Sequence, residues 1–108
     1  MAGSPRHMWL LVFFDLPVGT KIQRRVATQF RQRLLNDGFI MLQYSVYARF
    51  MQGNDRAEKH AQLLEQQVPK GGNIRVLQVT ELQYARMIHL AGSPRRNEAI
   101  RGDQLVLF

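Results

Sequence analysis

The sequence predicts an α+β domain in which one antiparallel sheet carries two long helices on the same face. Three observations lead there. Residues 9–14 (WLLVFF) are an unbroken apolar and aromatic run closed by Asp15 and Pro17, which reads as a central strand buried on both faces. Ile22, Val26, Phe30 and Leu34 recur at every fourth position, as along one side of a helix. A second helical segment and further β-branched runs come after it, in an order that places strands between helices.

A chain of 108 residues makes one domain with a real but small core. The absence of cysteine excludes a disulfide framework and thiolate zinc sites. No apolar run is long enough to span a bilayer and no signal-peptide pattern opens the chain, so a cytoplasmic protein is expected. Residues 1–7 (MAGSPRH) differ in character from the rest of the chain and precede a second methionine, Met8. They read as an added leader, with the folded domain over 8–92 and a hinge loop and terminal strand over 93–108.

Fifteen Lys and Arg against eight Asp and Glu give a net charge of +7, and twelve of the fifteen are arginine. Arginine's planar fork suits phosphate, so a polyanion is the expected partner.

In chain order, residues 18–20 turn and Thr20 caps a first helix that runs to about Asn36 and stops at Gly38. Opposite its predicted apolar stripe lie Lys21, Arg24, Thr28 and Arg31, with Arg25 beside them, as one basic ridge; Arg33 falls close to the apolar side instead. Residues 39–50 (FIMLQYSVYARF) read as one long second strand whose even positions are all apolar. A turn at Gly53 leads to a second helix opened by Asn54 or Asp55, with Glu58 at capping-box spacing and a core stripe of Ala57, Ala61, Leu64 and Val68. His60 reads as a rim residue with no acid or histidine at ligand spacing. Residues 73–80 form a third strand; 84–91 read as a fourth strand or a helix, and 95–103 as a loop. Leu105, Val106, Leu107 and Phe108 then return as an apolar strand that must join a sheet edge, its own or a neighbour's.

Taken together this is the split βαβ, ferredoxin-like plan, a βαββαβ sandwich with an extra C-terminal strand. The first strand is apolar on both faces while one chain has two helices, so a second copy is expected to cover the other face, giving a homodimer.

The acids bear on chemistry. Only Asp15 ends a core strand; the other seven lie in helices, helix ends or loops. One chain therefore cannot assemble a carboxylate site, whereas a dimer can, by bringing two Asp15 residues together with Ser45 or backbone carbonyls completing the shell. No histidine is placed as a general base. Without exposed aromatic platforms or a glycine-aromatic RNA-binding pattern on the sheet, the basic ridge reads backbone and favours duplex DNA.

LLVFFDLP, the basic helix, GFIMLQYSVYARF, AEKH and GNIRVLQVTELQ together resemble the CRISPR-associated Cas-two family, most closely its short type II form, over about residues 8–92. The resemblance implies a cytoplasmic bacterial homodimer of ferredoxin-like protomers with crossing C-terminal strands. It implies a role in spacer acquisition, in which the dimer bridges two dimers of the Cas-one integrase and carries duplex prespacer DNA. It also implies a metal-dependent endonuclease acting on RNA or DNA, with Asp15 as the catalytic residue. The acid inventory adds that Asp15 is expected to bind Mg²⁺ or Mn²⁺ weakly and only across the dimer, since no second acid of the same chain can reach it. The alternative is a toxin-like endoribonuclease acting on single-stranded RNA.

Overall fold

The computed structural model describes residues 7–92, which form a four-stranded antiparallel sheet in the order β2-β3-β1-β4. The elements are β1 (His7–Asp15), α1 (Lys21–Asn36), β2 (Ile40–Gln43), β3 (Val46–Gln52), α2 (Asn54–Glu65), β4 (Asn73–Thr80) and α3 (Glu81–Ala85). This is the ferredoxin-like α+β arrangement. The apolar run is indeed central: β1 pairs with β3 on one side and β4 on the other. β1 also takes in His7, which pairs with Gln52. Leu105, Val106, Leu107 and Phe108 lie outside the described residues. No helix among the described residues is long and apolar enough to cross a membrane.

Strand alternation divides β1 between two cores. Leu10, Val12 and Phe14 join Ala27, Phe30 and Leu34 of α1 and Ala57 and Leu64 of α2 on the helix-covered face. Trp9 and Leu11 pack with Ala48 and Tyr84 on the opposite face. That second cluster corrects the expectation that one chain has nothing to cover this face. Residues 81–85 form a helix, begun by a capping box between Thr80 and Gln83, and its Tyr84 ring stacks on Trp9 with centroids 3.9 Å apart. Such a pair contributes about 0.5–1.5 kcal/mol beyond its buried area. Apolar surface nevertheless remains exposed on the same side: Phe13 is 37% and Leu77 51% exposed.

Residues 39–50 are not one strand but a hairpin, turned at Tyr44 and Ser45. The unbroken even-position alternation concealed it for a physical reason. Gln43 pairs with Val46, yet Met41 pairs with Tyr47 and Ile40 with Ala48, so the register shifts between Met41 and Gln43. A plain two-residue turn would set even positions opposite odd ones; the irregularity restores even against even. Ile40 and Leu42 thus share a face with Ala48 and Phe50.

Both long helices begin and end where local chemistry allows. In α1 the Thr20 hydroxyl accepts from the Gln23 N–H while the Gln23 side chain accepts from the Thr20 N–H, a complete capping box. At its end the Phe39 N–H donates to the Leu34 carbonyl and the Gly38 N–H to that of Leu35, a Schellman closure in which Gly38 adopts φ 92°. The buried side is Ala27, Phe30 and Leu34, and Ile22 is 70% exposed, so the expected stripe is rotated toward Ala27. α2 starts at Asn54 behind Gly53 with no side-chain cap, so the Asp55–Glu58 box does not form; the helix ends at Glu65, which leaves Val68 outside it.

Candidate functional site

Asp15 closes β1 and is exposed, opposite Asn73 of β4 in the register. By alternation its side chain lies on the same face as Phe13, away from the two long helices. The backbone beyond it is fixed by close packing. A Cβ at Gly72 would lie 2.7 Å from Leu16 Cδ2, and one at Gly71 3.4 Å from Pro17 Cγ, so glycines let the α2–β4 loop press on the two residues after Asp15. On the other flank the Phe14 N–H donates to the Ser45 carbonyl at 3.1 Å. Ser45 lies in a turn and not in a strand, and it meets the end of β1 through its backbone, at Phe14.

Among the described residues, Asp15 is the one acid on this rim. The bordering segments 16–20, 44–45 and 70–73 contain none, while Lys70 and Lys21 lie on or next to them. The Asp15 carboxylate makes no hydrogen bond or ion pair among the described residues, and no group of three His, Asp or Glu able to hold a metal occurs among them. Among its described residues, a single chain thus offers one carboxylate and neighbouring backbone carbonyls here. This fits a largely hydrated magnesium ion, which is commonly held by one or two carboxylates, and does not fit a dedicated all-protein cage.

The basic ridge is only partly as expected. Lys21, Arg24, Arg25 and Thr28 are exposed along α1. Arg24 is tethered, its Nη1 donating to the Val18 carbonyl at 3.1 Å. Arg31 departs further. Because the buried side of α1 is rotated, Arg31 flanks the core, and its guanidinium lies 4.1 Å from the Tyr44 ring centroid and 5.6 Å from that of Phe14. Its Nε also donates to the Tyr44 carbonyl at 3.4 Å. The ridge proper is therefore Lys21, Arg24 and Arg25, while Arg31 belongs to the β2–β3 turn.

Two groupings were not anticipated. One is the Tyr44–Arg31 pair, whose only trace in the sequence is an aromatic residue at a turn without glycine. The other is a cluster behind the helices. His60 Nε2 meets the Asp37 carboxylate, which Arg49 Nη1 also reaches at 3.4 Å, and Arg49 Nη1 lies 3.3 Å from His60 Nε2. Asp37 lies 23 residues before His60, a separation that no helical or strand period would flag. The cluster ties the end of α1 to β3 and α2 and is remote in the fold from Asp15.

A family model described as CRISPR associated protein Cas2 matches residues 8–87. The chain is 50% identical over 102 residues to a protein of Acidovorax ebreus (strain TPSY), covering 94% of this chain and 100% of that one. It is 43% identical over 108 residues to a protein of Paracidovorax avenae, covering all of both chains. It is 40% identical over 103 residues to a protein of Flavobacterium psychrophilum, covering 95% of this chain and 90% of that one. Each of these relatives is named a CRISPR-associated endoribonuclease Cas2.

Proposed function

This chain belongs to the CRISPR associated protein Cas2 family, and on that premise we propose that it is a homodimeric, duplex-DNA-binding scaffold of CRISPR adaptation that bridges two dimers of a Cas-one integrase and carries a slow phosphodiesterase centre at Asp15. The observation that carries this reading is the exposed Asp15 carboxylate at the end of the central strand, in a domain whose first helix also presents an exposed cationic face.

Lys21, Arg24 and Arg25 point charge at solvent without a convergent polar pocket, which suits phosphates along a duplex and carries no base information. A two-fold axis doubles that surface. The exposed Phe13 and Leu77 on the sheet face are what a second copy would cover, and the same packing would bring two Asp15 residues near the axis. Two facing carboxylates repel, and a divalent cation relieves the repulsion; Mg²⁺ or Mn²⁺ held between them, with Ser45 backbone oxygen nearby, is the cofactor proposed. When bound it would supply an activated water, for which this site has no histidine.

A second reading, an endoribonuclease acting on single-stranded RNA, is favoured by the names that the relatives bear. Both readings require the dimer. Light scattering at micromolar concentration should give twice the chain mass, and adding the integrase should give a larger species with a single Cas2 dimer at its centre. A stable folded monomer would remove both readings; a dimer that never joins the integrase would leave only the second.

A further inference from the structure

We propose that Tyr44 and Arg31 form a subsite for an unpaired nucleotide, the base stacking on the phenol ring and the adjoining phosphate meeting the free donors of the guanidinium. Tyr44 is 67% exposed at the tip of the β2–β3 hairpin. Turn geometry does not ask for it there: two-residue turns favour glycine, asparagine or aspartate, and no non-glycine residue in the described chain has positive φ. Burial does not ask for it either, since the ring fills no core. The guanidinium of Arg31, 4.1 Å from the ring centroid, holds the ring in one orientation from one side. A large flat surface is left to solvent.

Arg31 is itself oriented. Its Nε is used on the Tyr44 carbonyl, and its two terminal nitrogens make no hydrogen bond among the described residues. A fixed aromatic plane with a cationic fork beside it is the pairing that holds single-stranded nucleic acid, because every base has a π-face and every linkage a phosphate. Ser45, the next residue, carries the carbonyl that receives the Phe14 N–H at 3.1 Å, so the hairpin tip adjoins the end of β1. The pair sits on the helix-covered side, where Arg31 lies over the Phe14 ring, and not on the face that carries the Asp15 side chain. Tyr44 is thus an exposed aromatic ring of a kind the sequence was not expected to supply.

The inference rests on reading this surface as nucleic-acid-binding, but it does not need cleavage. It is tested by fluorescence anisotropy in the Asp15→Asn background without divalent cation, with a short oligouridine, the same strand carrying abasic sites, and a duplex. Tyr44→Leu should weaken oligouridine binding by about five- to one-hundred-fold and leave duplex binding unchanged. Tyr44→Trp and Tyr44→Phe, which keep a ring, should retain oligouridine binding. The abasic strand should bind the parent protein as weakly as the intact strand binds Tyr44→Leu. Equal losses for strand and duplex, no loss for the strand, or undiminished binding of the abasic strand would each overturn the subsite and assign the pair to pinning the hairpin. Absence of duplex binding by the parent protein would instead count against the scaffold, whatever the single-strand result.

Discussion

Replacing Asp15 with asparagine should lower divalent-dependent hydrolysis by at least about 100-fold, to the background of the buffer, and leave duplex affinity equal or slightly tighter. The side chain keeps its shape and its place beyond Phe14, so the strand end, the Leu16 contact with Gly72 and the Ser45 hydrogen bond have no reason to change. What changes is charge. A neutral amide is a poor ligand for a hard cation, and no other acid on the bordering segments can substitute for it. The duplex, in contrast, meets one fewer negative charge per chain. Undiminished hydrolysis by the variant would place the cutting elsewhere. A large loss of duplex affinity would mean that Asp15 organises the binding surface, and that site and scaffold are not separable.

The second large effect is on salt. If a dimer neutralises roughly six phosphates, duplex affinity should fall about 10³-fold between about 50 and about 200 mM salt. Lys21→Ala with Arg25→Ala should flatten that dependence, since both side chains are exposed and neither makes a hydrogen bond or ion pair among the described residues; each lost contact lowers the slope by about 0.9. Arg31→Ala should alter the slope less, because its guanidinium is held over Tyr44. A slope untouched by the α1 changes would move the DNA path, with Arg95, Arg96 and Arg101, outside the described residues, as the next candidates.

The contrast between Arg25 and Arg31 shows what was legible beforehand. Signals that depend on a few adjacent residues survived into the fold: the apolar run of β1, the Thr20 cap and the Gly38 stop all stand where the chain announces them. Signals that depend on which side of an element meets the core were weaker. The spacing of Ile22, Val26, Phe30 and Leu34 fits a helix, but Ala27 is too small to advertise itself as the contact residue, and it is Ala27 that packs. That rotation moved Arg31 from the ridge to the turn. The hairpin was hidden because its register irregularity kept the even positions in phase across Tyr44 and Ser45. α3 was masked by an ambiguous composition, although Thr80 and Gln83 had the spacing of a cap. The Asp37–His60–Arg49 cluster joins three elements, and pairings of that kind come from topology alone. The position of Asp15 was legible, since it is the acid that closes the apolar run, and the structure leaves it exposed at the end of β1.

The central claim is that one chain holds half of a site and that two Asp15 carboxylates act together. Subunit exchange tests it directly: the parent protein is mixed with increasing fractions of Asp15→Asn, and Mg²⁺-dependent hydrolysis is measured at constant total protein. If both carboxylates are required, activity scales as the square of the parent fraction, so an equal mixture retains about a quarter of it, the share of dimers with two intact chains under random pairing. Activity that falls in direct proportion, with about half remaining in the equal mixture, would show that each Asp15 works alone and would contradict the shared site.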